Sequence, residues 1–167
     1  MKKLILCAIC AICGFTTATA QKFGHVNSQE IIQAMPEFAK ARTDIEALSK
    51  QYEADLKLMQ EELQKKSEAY DKDQATLPAN IKQRREQELQ DMYQKIQQSY
   101  QDNQQALAKE QQEKMQAITA KVLEAIKSVG EAGGFVYIMD LTSGVPYIST
   151  TLSTDVTAQV KAKLGIK

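Results

Sequence analysis

EFAKARTDIEALSKQYEADLKLMQEEL, residues 37–63, and IKQRREQELQDMYQKIQQSY, residues 81–100, lie in one polar stretch, 37–129, that holds a single proline, Pro78, and no glycine. Its first half sets apolar side chains at Phe38, Ala41, Ile45, Leu48, Tyr52, Leu56, Met59, Leu63 and, past a polar gap at Lys66, Tyr70. Spacings that average about 3.6 residues place all of them on one face of a helix. After Pro78 the stripe resumes at Ile81 and continues through Leu89, Met92, Ile96, Tyr100, Leu107, Met115, Ile118, Val122, Ile126 and Val129.

Pro78 disfavours helical geometry at Leu77 and suits a first helical turn, so residues 77–80 are expected to reverse the chain. Two arms then fold back as an antiparallel hairpin, with its tip near 77–80. At about 1.5 Å per residue, roughly 40 residues out and 50 back give a rod on the order of 60 to 75 Å long. The apolar stripe occupies only about two positions in seven, enough for a two-helix seam and too little for a globular core.

Outward from the hairpin, the chain opens with Lys2 and Lys3, an apolar run over 4–15 and the small residues Ala18, Thr19 and Ala20. That is the pattern of an export signal cleaved after Ala20. The run is shorter than the roughly 20 residues a membrane span needs. All three cysteines, Cys7, Cys10 and Cys13, lie inside it, so the processed chain has no disulfide framework, thiolate metal site or cysteine nucleophile. Removing the signal takes away two lysines and leaves 19 basic against 21 acidic residues, a charge near 19 − 21 = −2. Near-neutrality argues against nucleic acid as the main partner.

The remaining residues, 21–36 and 130–167, must build a small body from two distant segments. Residues 22–27 fit a short first strand, Ser28 could cap a short helix to Met35, and Pro36 ends it. Gly130, Gly133 and Gly134 supply conformations that close the second arm. The unbroken apolar run over 135–140 reads as a central strand buried on both faces. A turn over 141–144 leads to a second short strand over 145–149, with Pro146 at its start or at a sheet edge, and a helix over 155–164 follows. The fold class is therefore α+β, mostly α: a long helical hairpin on a small β-containing body, too thin to stand without oligomerisation.

No Gly-rich phosphate loop occurs, the acids of the arms are scattered along solvent faces, and the one histidine, His25, has no second ligand or triad partner nearby. The sequence therefore reads as a non-enzyme, with no catalytic, cofactor or metal residues. Lys82, Arg84 and Arg85 read as a solvated helix face balanced by Glu86 and Glu88, and the twelve glutamines over 83–116 as ordinary helix surface.

Several segments resemble the Skp/OmpH family of periplasmic chaperones. Lys22-Phe23-Gly24-His25-Val26-Asn27 is similar to that family's first strand, with His25 where an apolar residue is usual. Ala125-Ile126-Lys127-Ser128-Val129, the apolar strand ending in Asp140, then Tyr147 and Asp155-Val156-Thr157, match its far end. The resemblance covers essentially the whole processed chain. It implies an ATP-independent periplasmic holdase, a homotrimer whose bodies join while three hairpins enclose an unfolded outer-membrane protein. It also implies a trimerisation body containing Phe23, Val26, Phe135, Tyr137, Ile138, Tyr147 and Val160.

Client contact falls to Tyr70, Leu77, Ile81, Met92, Tyr93 and Tyr100, because methionine is flexible and polarisable and tyrosine joins a large apolar face to a hydroxyl. Tyr93, one residue off the stripe, should be exposed. Polar residues at Arg85, Asn103 and Gln111 interrupt the seam and should loosen the distal arms. The family's arginine-rich run, associated with anionic lipid, corresponds here to Leu107-Ala108-Lys109-Glu110, so the resemblance gives lipid contact little support. The alternative reading is a coiled-coil hairpin spacer or adaptor in the cell envelope.

Overall fold

A computed structural model of the chain describes residues 21–145, 147–149 and 151–166. The expected export signal, and Pro146 in the expected second strand, lie outside the described residues. Among the described residues the elements follow in the order β1 (Lys22–Val26), α1 (Ser28–Ala34), α2 (Pro36–Asp73), α3 (Ala79–Gly133), β2 (Phe135–Asp140), a 3-10 turn (Leu141–Ser143), β3 (Ser153–Asp155) and α4 (Thr157–Lys163). The protein is α+β and mostly α, as the periodicity indicates. It divides into two units, 29–124 and the pair of segments 1–28 and 125–165, with the boundary inside α3.

Unit 29–124 is the hairpin. α2 has 38 residues and α3 has 55, about 57 Å and 82 Å at 1.5 Å per residue. Side-chain pairs bridge them: Glu37 with Lys121, Asp44 with Lys114, Lys66 with Glu88, and Tyr70 with Glu86. The two residue numbers of each pair add to between 154 and 158, the near-constant sum that antiparallel pairing requires. The centre of that register falls at the turn.

The reversal spans 74–78, slightly earlier than expected, and Pro78 stands just before α3 rather than inside it. There its carbonyl accepts from the amides of Ile81 and Lys82, at 3.0 Å each. Proline lacks a donor, and this position asks none of it.

Burial within this unit is concentrated at one end. Ile31, Met35, Ala41, Ile118 and Val122 are buried, and no residue over 42–117 is. The distal stripe is half-buried throughout, which is what two helices with nothing packed on their outer faces produce.

The other unit is a three-stranded parallel sheet in the order β2-β1-β3. β1, not β2, is therefore central, and the expectation of a buried central strand over 135–140 is corrected. β2 is an edge strand with Val136, Tyr137 and Met139 exposed. An apolar run read without alternation cannot reveal which strand will lie beside it. The expected strand over 145–149 is also corrected, since Val145, Tyr147, Ile148 and Ser149 have no strand pairing and the third strand is Ser153–Asp155. Its backbone pairs with β1 although its side chains carry no apolar pattern, and the amide of Val156 extends the pairing to the His25 carbonyl at 2.9 Å.

Side chains finish the caps. Ser28 does not cap its helix; its hydroxyl donates to Asp140 Oδ2 at 2.5 Å, and Asp140 Oδ1 accepts from the amides of Ser28 and Thr142. Burial would raise the Asp140 carboxyl, but these hydrogen bonds outweigh it and hold the group below the usual carboxylate range. Asp155 Oδ1 accepts from the Thr157 amide at 2.8 Å, and the Thr157 side chain is the leading reason that the Asp155 carboxyl is lowered.

Of the three glycines expected to close the second arm, only Gly134 takes a left-handed conformation, at φ 64°, while Gly130 and Gly133 stay helical. Gly133 instead leaves room for its neighbour, since a Cβ there would come within 2.5 Å of the Phe135 ring, which folds back onto the helix end. Val26, Ala125, Val156 and Val160 form the small core of this unit. Among the described residues no helix is long and apolar enough to cross a membrane.

Candidate functional site

Two surfaces gather the residues singled out by sequence, one on each unit. On the hairpin, the gap between the arms is a cleft of about 740 Å³ in which Met92 meets Met59 and Ile96. Polar side chains rim it. Lys66 joins two of the rim carboxylates, donating to Glu88 and standing 3.6 Å from Glu62. The hydrogen bond to Glu88 is the main reason that the Lys66 ammonium is raised and, in return, that the Glu88 carboxyl is lowered. The polar gap in the stripe is thus an ion pair across the seam.

Nearer the turn a smaller hollow, about 70 Å³, brings Tyr70 and Leu77 together. The Tyr70 hydroxyl donates to Glu86 Oε1 at 2.5 Å, and that bond, with desolvation behind it, raises the phenol above its ordinary value. Ile81 is half-buried beside the turn. Tyr93 and Tyr100 belong to neither hollow; they face water at 55% and 56% exposure. The six expected contact residues therefore divide into a seam group and an outward pair.

Leu58, 64% exposed on α2, is a residue the stripe did not single out. Its signal was available, since an apolar side chain one residue from Met59 must leave the seam. The basic cluster past the turn is dispersed: Arg84 lines the larger cleft, Arg85 pairs with Glu88 at 3.8 Å, and Glu86 turns to Tyr70 instead.

On the sheet unit, Phe23 and Tyr137 stand opposite each other in the β1–β2 register, their ring centroids 4.8 Å apart and tilted by 31°. Together with Met139, Tyr147 and Leu152 they line a hollow of about 220 Å³. Tyr147 and Leu152 are each 79% exposed. The other face of the sheet is spoken for, because Ile138 packs beside Gly24 and Gly130. Phe135 carries the Lys22 ammonium 4.2 Å above its ring, and the same ammonium donates to the Gly133 carbonyl at the end of α3. Val26 and Val160 are wholly buried within the unit. The seven expected body residues thus comprise a sealed core and an open aromatic face.

The model of the family described as outer membrane protein (OmpH-like) matches residues 22–164. The chain belongs to that family. Among solved structures, the OmpH-like chain resembles one named for an outer membrane chaperone (OmpH-like) of Caulobacter crescentus CB15, with a TM-score of 0.74 at 16% identity. The match covers 90% of this chain and 88% of the other. At that identity the likeness is one of fold, and the OmpH-like fold is the one described above. No curated protein matches the chain.

Proposed function

We propose that this OmpH-like protein is an ATP-independent periplasmic holdase that keeps unfolded outer-membrane proteins from aggregating. Residues 1–20 serve as the export signal, 21–36 and 130–167 form a body through which three copies join, and 37–129 form the arm. A client lies among the three arms. The protein works by contact alone, without catalysis.

The observation that carries this reading is that no residue over 42–117 is buried, although that stretch presents Leu58, Tyr93 and Tyr100 to water and Met59, Met92 and Ile96 to an open cleft. A chain built for stability alone would bury such side chains. Left half-covered, they are sites a client can touch and leave.

The magnitudes suit a holdase. Covering half of a tyrosine, about 100 Å² of apolar area at roughly 25 cal/mol per Å², yields about 2.5 kcal/mol before ordering costs. A single contact of that size is transient, and several at once reach micromolar affinity, near 8 kcal/mol. Methionine and tyrosine tolerate clients of different sequence.

The test is whether the purified, processed protein suppresses aggregation of a urea-diluted β-barrel at roughly stoichiometric amounts, and does so without nucleotide. Suppression is expected. A well-folded protein that leaves aggregation unchanged would overturn the holdase and leave an envelope spacer.

A further inference from the structure

We propose that His25 makes the joining of copies through the body pH-sensitive, weakening it in mild acid. This rests on the assembly reading above and adds a control to it.

β1 sends Phe23 and His25 to one face of the sheet and Gly24 and Val26 to the other. The register sets His25 opposite Met139 on one side and Asp155 on the other, and Phe23 opposite Tyr137 and Ser153. His25 therefore lies in the open aromatic face, alongside Tyr137 at 49% and Met139 at 39% exposure. An apolar sheet face ending in an unpaired edge strand is a surface that another chain covers. The occupant we assign is a second copy of this chain, whose own Tyr147 and Leu152, the most exposed large apolar side chains among the described residues, sit beside the same face.

His25 Nδ1 is 2.9 Å from Ser153 Oγ, and Nε2 has no hydrogen bond among the described residues. The neutral ring, satisfied by the serine, tolerates being covered. The charged ring does not, because an ion that loses its water must find a counter-ion.

Few groups can serve. From β3 the facing charge is Asp155, whose Oδ1 already accepts the Thr157 amide that starts α4. β2 offers Met139 and Tyr137, and the segment after it Tyr147, none of them ionised near neutrality. Asp140 lies on the opposite face and is engaged by Ser28. Joined copies therefore hold fewer protons than separate ones, and association strengthens as pH rises. His25 is the one histidine of the chain, and every cysteine precedes residue 21, so between pH 7.5 and 5.5 no other side chain is suited to supply this response.

The test measures the association of the processed protein by sedimentation equilibrium at pH 7.5 and 5.5, alongside His25→Gln and His25→Phe, with helical content checked by circular dichroism. An imidazole that titrates near pH 6.5 and must be neutral to join lowers association about tenfold per subunit at pH 5.5. The native protein should show that loss, and whichever variant folds should associate equally at both pH values. Trimers equally tight at both pH values, or the same acid loss in a folded variant, would overturn the histidine switch alone. Monomers at every pH and concentration would overturn the assembly reading with it.

Discussion

At the scale of the residue, burial separates side chains that hold the fold from those available to a partner. Ile31 is wholly buried, and cutting it to alanine removes a packed side chain and leaves a cavity. Ile31→Ala should cost about 3 kcal/mol, read as a lower urea midpoint. Tyr93 is more than half exposed, so Tyr93→Ala should change stability by no more than about 0.5 kcal/mol while reducing aggregation suppression. If Tyr93→Ala unfolds the protein or leaves suppression intact, Tyr93 is not a contact residue. Sequence alone made the Tyr93 half of this contrast legible, because one step off a helical stripe turns a side chain outward. It could not tell that Val26 and Val160 are sealed while Tyr137 and Tyr147 are open, since that depends on which strands meet.

At the scale of the element, the helices were legible and the sheet was not. A period of 3.6 sustained over many turns leaves no competing reading, and a lone proline marks the reversal to within a few residues. A three-residue strand such as Ser153–Asp155 has no pattern of its own; it exists because β1 offers it a partner. The bridges between the arms were half legible: Lys66 stood out as a gap, but its partner Glu88 follows only from the hairpin's register.

These bridges fix the arms' response to acid. Asp44 is lowered chiefly by its hydrogen bond from Lys114, and Glu88 by Lys66; Glu37 is lowered first by a backbone hydrogen bond and then by Lys121. A carboxylate lowered by folding contributes stability that is present above its unfolded value and lost as pH falls through its folded one. Helical content followed by circular dichroism should therefore stay flat from pH 7.5 to about 5 and decline only below about 4. A fall already complete at pH 5.5 would show that the bridges are not what holds the arms together.

Burial also grades along the arms. Ile118 and Val122 are buried, while the seam over 48–107 is at most half-covered. Hydrogen exchange should be slower at 118–122 than over 48–107, because local opening is easiest where least apolar surface is lost from cover. Uniform protection along α3 would refute arms that splay to fit clients of different size.

At the scale of the whole molecule, two surfaces left uncovered in a single chain find complementary uses: the aromatic sheet face in joining copies and the arm seam in holding a guest. The family was legible from the order of its segments, though no single motif is strong. The edge position of β2, which leaves its aromatic side open to another copy, was not, because a parallel strand order is a property of the folded sheet. The most direct test places a photoreactive phenylalanine analogue at Tyr93, at Met92 or at Leu123 on the outer face of α3, and irradiates the protein with an unfolded β-barrel. We predict covalent client adducts from Tyr93 and Met92 and few from Leu123; equal labelling at all three, or labelling at Leu123 alone, would contradict a guest held by the arm seam.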